Sequence, residues 1–425
     1  MATTAATPGR PNADLRSYAL VTGAYWADTV TDGAIRMLVL FYFYELGYSP
    51  FQVASLFIFY EVFGVVTNLV AGYLGARLGL KATLFAGLST QLVALAMLGF
   101  VPVVWLTVPY VMVSQALSGI AKDLTKMSSK SAVKLLVAED APSTLYRWVA
   151  ILTGSKNALK GVGFFAGGLL LTVVGFQTGV LVLASLVLAA LLVAATLMRG
   201  GLGRTNPKAK FRQLFSNNRA VNMLAAARVF LFGARDVWFV VGLPVFLREV
   251  LGWSFWEAGS FLAVWIIGYG IVQASTPAWI RRRTEGPGGE PDGTTATWLA
   301  FALAAFPAAI AAALMAGINP TAVVVVGLLA FGVIFALNSA VHSYLILAYT
   351  DSDKVAMNVG FYYMANALGR LMGTVLSGWL YGVAGLVGCL WASVVFVLAA
   401  GLLSLALPHS DVPRTRPIAL GDGGD

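Results

Sequence analysis

The sequence predicts an all-α integral membrane protein of twelve transmembrane helices, built as two similar six-helix halves. Three observations predict it: the composition, the alternation of basic and non-basic links, and an internal repeat. The 425 residues are 59% hydrophobic and only 11% charged, whereas soluble domains carry roughly 25% charged residues. Thr178 to Met198 and Thr321 to Leu337 contain no charge at all. Apolar runs of about 20 residues match a hydrocarbon core of roughly 30 Å. They overrule the prior from length alone, which would be about three soluble domains.

Helices are expected near residues 16–46, 50–76, 81–101, 104–127, 143–173, 176–198, 219–247, 255–279, 295–316, 320–349, 355–382 and 384–407. The links on one side of these spans hold almost no Lys or Arg, Arg248 being the exception. The other side holds Arg77 and Lys81, Lys130, Lys134 and Arg147, the run from Arg199 to Arg219, Arg281 to Arg283, Lys354, Arg414 and Arg416. Lys/Arg bias in short loops sets orientation, so both termini are expected in the cytoplasm. Met1 to Asp14 lacks the apolar region and small-residue cleavage site of a secretory signal, and reads as a short cytoplasmic tail. The net charge of +9 sits in alternate loops, which argues against a nucleic-acid partner. Cys389 is the single cysteine and reads as a small packing residue.

The longest charged, turn-rich link divides the chain into an N-terminal half (1–199), a cytoplasmic linker (200–218) and a C-terminal half (219–425). The halves overlay. Leu46-Gly47-Tyr48-Ser49-Pro50-Phe51-Gln52 matches Leu251-Gly252-Trp253-Ser254-Phe255-Trp256-Glu257 at an offset of 205. Each copy places Gln or Glu three residues after a serine, the capping box of a helix start, and Pro50 falls at a first helical position. Asn157-Ala158-Leu159 matches Asn366-Ala367-Leu368 at an offset of 209, the extra residues fitting the loop at Gly286 to Thr294.

Six-plus-six parallel repeats are the plan of the major facilitator superfamily, whose binding site lies near the midplane. The stretch Gly72-Tyr73-Leu74-Gly75-Ala76-Arg77-Leu78-Gly79-Leu80-Lys81 resembles that superfamily's motif G-x-x-x-D-R-x-G-x-[RK], so Gly72, Arg77, Gly79 and Lys81 are candidate gating residues. Ala76 replaces the motif's aspartate, which removes an ion pair at that position. Gly163-Phe164-Phe165-Ala166-Gly167-Gly168 resembles the antiporter motif G-P-x-x-G-G with Phe164 in place of proline. Close helix packing explains the same glycines.

An ionisable group at mid-bilayer costs roughly 2.5–3.5 kcal/mol on insertion scales, so each needs a reason. Asp28, Asp32 and Arg36 recur every fourth residue and share one helical face, and Glu61 lies in the second span. Lys156 and Lys160 sit in the fifth span, Arg228, Arg235 and Asp236 in the seventh, and Arg370 in the eleventh. Six deep cations thus face four deep anions, and the surplus calls for an anionic ligand. Arginines suit oxyanions through paired donors, and lysines serve as point charges. Arg36, Lys156, Lys160, Arg228, Arg235 and Arg370 are the candidate substrate ligands, with Lys122 at a cytoplasmic vestibule. Each has a plainer alternative: Arg36 can pair with Asp32 one turn earlier, and Arg228 can snorkel toward water. Arg235 and Asp236 are neighbours on different faces and are not expected to pair with each other.

Asp28, Asp32 and Glu61 are candidate proton carriers, since buried carboxylates can load and release protons; a structural pairing role is the alternative. His342 is a hydrogen-bonded wall residue or a proton relay. No catalytic triad, metal cluster, P-loop or cofactor motif is present, which points away from an enzyme.

Four stretches carry a narrower resemblance: VTGAYWADTVTDGAIRMLV (21–39), QALSGIAKDLTKMSSKS (115–131), WVAILTGSKNALKGVGFF (148–165) and LFGARDVWFVVGLPVFL (231–247). On these the chain resembles the ArsJ family of bacterial organoarsenical efflux permeases. The resemblance implies an inner-membrane exporter of 1-arseno-3-phosphoglycerate, the unstable ester that glyceraldehyde-3-phosphate dehydrogenase makes when arsenate replaces phosphate. Export of the ester would confer arsenate resistance, with the dehydrogenase a functional rather than a necessary physical partner. The alternative on the residues alone is an organophosphate/phosphate antiporter of the same fold.

Overall fold

The structure, a computed structural model, describes residues 11–136, 142–198, 218–283, 291–349 and 355–408. Apart from a short 3₁₀ turn at Val103–Trp105, the elements among these residues are α-helices: α1 (Pro11–Glu45), α2 (Pro50–Ser55), α3 (Ile58–Leu78), α4 (Leu80–Gly99), α5 (Val108–Leu136), α6 (Pro142–Val174), α7 (Phe176–Leu197), α8 (Arg219–Phe239), α9 (Gly242–Glu249), α10 (Phe255–Arg283), α11 (Gly293–Met315), α12 (Pro320–Ala348) and α13 (Val355–Ser404). Nine segments among the described residues are long and apolar enough to cross a membrane. One of them, Phe361–Ser404, bends at Gly385 (φ 61°, ψ −161°) and crosses twice. Helices α1 and α5 are of similar length and complete twelve crossings, with Asp28, Asp32 and Arg36 inside α1 and Lys122, Asp123 and Lys126 inside α5.

Two expected spans are broken. The second is α2 plus α3, interrupted at Leu56–Phe57, and the seventh is α8 plus α9, interrupted at Val240–Val241. Pro244 explains the second break, because its ring would clash with the carbonyl four residues earlier, that of Val240. The freed N–H groups of Val241 and Gly242 donate to Ser377 Oγ at 3.2 and 3.0 Å, which meets the demand for satisfied backbone inside a membrane.

The repeat is visible in backbone geometry. Gly47 and Gly252 turn the chain with φ of 86° and 69°, and Gly175 and Gly385 do so with 78° and 61°. Both capping boxes form: Ser49 with Gln52, and Ser254 with Glu257. Close helix pairs also repeat. A Cβ on Gly163 or Gly167 would collide with α1 carbonyls, and one on Gly369 or Gly373 would collide with α8. Glycine packing of this kind accounts for the Gly163 and Gly167 positions of the fifth-span motif.

The halves meet across glycine seams. A Cβ on Gly161 would lie 2.9 Å from the Ala263 carbonyl, one on Gly259 would lie 2.9 Å from the Phe164 carbonyl, and one on Gly378 would lie 2.6 Å from the Pro50 carbonyl. At the end of the bundle where α1 stops and α10 starts, Phe41 packs on Phe255 with ring centroids 5.3 Å apart, and Arg248 pairs with Glu45 at 2.8 Å. That end is closed.

Candidate functional site

Between the halves, midway along the helices, lies a cavity of about 180 Å³. Arg36 reaches it from α1, and Lys156, Asn157, Lys160 and Phe164 from α6. Helix α8 supplies Arg228, Phe232, Arg235, Asp236 and Phe239, α10 supplies Ile266, Tyr269 and Gln273, α12 supplies Ser343, and α13 supplies Tyr363, Asn366 and Arg370. All six cations singled out from the sequence line this one space. Helical spacing puts them there: Lys156 and Lys160, and Arg228 and Phe232, are one turn apart, so each pair shares a face.

Glu61 and Asp32 stand behind the cations, while Asp236 lines the chamber with them. Glu61 is fully buried, and its Oε1 accepts from Arg36 NH2 at 2.7 Å. Arg370 NH2 donates to both Glu61 oxygens at 2.6 Å, so one carboxylate ties α1 and α3 of the first half to α13 of the second. Asp32 lies 3.5 Å from Lys160 Nζ and accepts a short hydrogen bond from the Tyr60 hydroxyl. Asp236 accepts from Arg235 Nε at 2.6 Å and lies 3.8 Å from Arg370 Nε. Tyr60 organises the first-half wall further, with the Arg36 guanidinium 4.9 Å and Lys122 Nζ 4.0 Å from its ring centroid.

Several expectations are corrected. Arg235 does pair with Asp236: adjacent positions differ by only about 100° around a helix, and the long arginine stem swings across that step. Arg36 takes Glu61 on another helix, not Asp32 one turn away. Arg228 does not snorkel; it is 5% exposed and held inward by Asn366 Oδ1 at 3.1 Å and the Ser339 carbonyl at 3.2 Å. Lys122 stacks behind the cavity wall on Tyr60 and is not among the cavity's lining residues. Asp28 is not among the cavity's lining residues; it accepts from Thr125 Oγ1 at 2.5 Å, and its Oδ1 has no hydrogen-bond partner among the described residues.

His342 is fully buried and neither ring nitrogen has a hydrogen-bond partner among the described residues. That does not match a hydrogen-bonded wall residue. Of the loop motif, Gly79 (φ 84°) makes the break between α3 and α4 that only glycine accommodates without strain. Lys81 Nζ donates to the Met198 carbonyl at 2.7 Å and so ties α4 to the end of α7. The surroundings of Gly72 and the side chains of Arg77, Lys130 and Lys134 lie outside what the structure describes.

Sequence reasoning missed Tyr60, Gln273 and Phe232 as site residues. It noted Asn157 and Asn366 only as marks of the repeat, and both line the cavity, Asn157 donating to Gln273 at 3.4 Å and Asn366 accepting from Arg228. Their repeat-related placement was the signal that could have found them.

A twelve-crossing bundle in two related halves, with a charged chamber at the midplane between them, defines a secondary transporter. The Major Facilitator Superfamily profile matches residues 21–344, and the chain belongs to that superfamily. Among solved structures, it is similar to a POT family transporter in complex with a thioalcohol-conjugated peptide, with a TM-score of 0.73, 13% identity, and coverage of 92% of this chain and 96% of that one. A POT family transporter in complex with 5-aminolevulinic acid gives 0.72 and 13%, covering 92% and 95%. A bacterial homologue of the human drug peptide transporters PepT1 and PepT2 gives 0.68 and 15%, covering 92% and 97%. At these identities the likeness is one of fold. Comparison with curated proteins gives no match.

Proposed function

We propose that this transporter exports a small oxyanion-bearing organic acid, and that the substrate is 1-arseno-3-phosphoglycerate. The observation that carries the reading is the charge of the chamber. Six cations line it, and among the described residues Arg36, Lys160, Arg235 and Arg370 share three carboxylates, Glu61, Asp32 and Asp236, while Arg228 has none within 4 Å. A surplus of positive charge inside a membrane is costly unless an anion enters to match it. The guanidiniums of Arg36, Arg235 and Arg370 suit the oxygens of a tetrahedral oxyanion, with Lys160 and Lys156 as point charges. The narrower substrate rests on the resemblance of the stretches around these residues to ArsJ permeases.

The first half (1–199) and the second (219–425) would rock about the chamber, with residues 200–218 as the cytoplasmic tether and both termini on the cytoplasmic side of a bacterial inner membrane. Glu61 is the natural switch. It holds Arg36 and Arg370 together across the halves, and a proton or an incoming oxyanion would each release that hold. Asp32 holds Lys160 in a similarly releasable pair, but within the first half, and Asp28 is a third proton-carrying candidate. Such a cycle exchanges external protons for the internal anion.

Phosphate and arsenate present the same tetrahedral array of oxygens, so the same chamber also suits an organophosphate/phosphate antiporter. Trans-stimulation by phosphate would mark that activity. The deciding experiment is arsenate tolerance in cells lacking other arsenic pumps, with and without glyceraldehyde-3-phosphate dehydrogenase. Tolerance that requires both proteins supports the ester, and tolerance independent of the dehydrogenase removes it.

A further inference from the structure

Arg36, Lys160, Arg235 and Arg370 each have a carboxylate within 4 Å, whereas Arg228 has none among the described residues. Resting on the reading above, in which the substrate carries an oxyanion at each end of a short carbon chain, we propose that Arg228 is a second oxyanion subsite that takes one of those ends. One end binds at Arg235 and Arg370, which share Asp236, and the other at Arg228.

Three features of Arg228 support this. It lines the chamber yet is only 5% exposed, so its charge is largely removed from bulk water. Its Nε and NH1 donate to neutral acceptors, Asn366 Oδ1 and the Ser339 carbonyl, which fix the guanidinium without cancelling its charge. NH2 has no hydrogen-bond partner among the described residues. The Phe232 and Tyr362 rings hold the plane, with centroids 3.9 and 5.0 Å away. A residue that only joined α12 to α13 would do so as well with a neutral amide, without the cost of an unmatched buried charge.

Geometry sets the length of the occupant. Arg228 and Arg235 are seven residues apart on α8, two turns and about 10.5 Å of rise on nearly the same face. Phe232 lies between them in sequence, and the two guanidinium carbons are 3.9 and 5.0 Å from its ring centroid, so they are at most about 9 Å apart. The chamber therefore offers two cations within about 9 Å of each other, with an apolar ring beside both. A few methylene or hydroxymethylene carbons near Phe232, with a phosphate-like group at either end, complement that pair. The neutral neighbours of Arg228 also set it apart from the other subsite, where an entering anion must displace a carboxylate.

The test uses purified full-length protein in nanodiscs and two stable probes, propyl phosphate and 1,3-propanediol bisphosphate, with affinities read by calorimetry. The wild type should bind the bisphosphate about 30-fold tighter than the monophosphate, since a charge-assisted contact is worth roughly 2 kcal/mol. In Arg228→Gln that ratio should fall to near one, and Arg228→Lys should keep part of it. A wild-type ratio near one overturns the subsite without reference to any variant. Equal loss of both probes in Arg228→Gln, or no loss, also overturns it. Failure of the wild type to bind either probe would instead overturn the oxyanion reading on which the subsite rests.

Discussion

Replacing Glu61 with glutamine should tighten oxyanion binding while abolishing the response of transport to a pH gradient. The buried carboxylate takes three contacts of 2.6–2.7 Å from Arg36 and Arg370. An entering oxyanion must compete with it for the same donors. Hydrogen bonds to charged groups contribute roughly 1.5–3 kcal/mol each, and a neutral amide returns only part of that. Removing the competitor should therefore strengthen phosphate binding by at least about 1.4 kcal/mol, a factor of ten in Kd. The empty variant should be less stable, because removing one partner of a buried pair costs about 3–5 kcal/mol. Thermal unfolding of the purified protein across a phosphate series reads both effects. The apparent midpoint should fall without phosphate and rise more steeply with it than in the wild type. If Glu61→Gln bound phosphate no tighter than the wild type, Glu61 would not be competing for the arginines.

Other outcomes follow from the same contacts. Gly168→Leu should abolish transport, since even a Cβ there would meet the Phe255 backbone across the α6–α10 seam; vesicle flux and retained expression check it. Arg248→Ala should shift the equilibrium toward opening at the Glu45 end by less than about fivefold, because partly exposed ion pairs contribute roughly 0.2–1 kcal/mol. Thiol labelling of Phe239→Cys, which lines the chamber, would show the shift. Asp292 caps α11 by accepting from the Thr295 N–H at 2.9 Å, so Asp292→Ala should cost about 1 kcal/mol of stability. Partial burial pushes the Asp292 carboxyl up, but hydrogen bonds from Thr295 outweigh it and hold the group below the usual aspartate range. The cap's contribution is therefore complete at neutral pH and lost as pH falls through that lowered value, which acid unfolding of the wild type against the variant would show.

The fold was legible because its signals are one-dimensional. Apolar run length and the Lys/Arg content of links can be counted along the chain, and the Leu46–Gln52 and Leu251–Glu257 copies marked the repeat that Gly47 and Gly252 realise in backbone angles. The set of chamber cations was legible too, since charge within an apolar span has few places to go. Partner choice was not. Arg36 could reach Asp32 by helical spacing alone, and only the tertiary placement of α3 beside α1 and α13 brings Glu61 to both Arg36 and Arg370. The break at Val240–Val241 depends on Ser377, far along the chain, to satisfy two N–H groups. Tyr60 gave no signal among the other aromatics, because its role comes from the charges packed around its ring.

The most direct test of the cationic chamber is uptake of 1-arseno-3-phosphoglycerate, generated by the dehydrogenase from arsenate, into everted membrane vesicles. Wild-type vesicles should show saturable uptake that an imposed pH gradient accelerates, and Arg235→Ala and Arg370→Ala should each reduce it at least tenfold. Uptake by both variants at the wild-type rate would contradict the role given to these arginines.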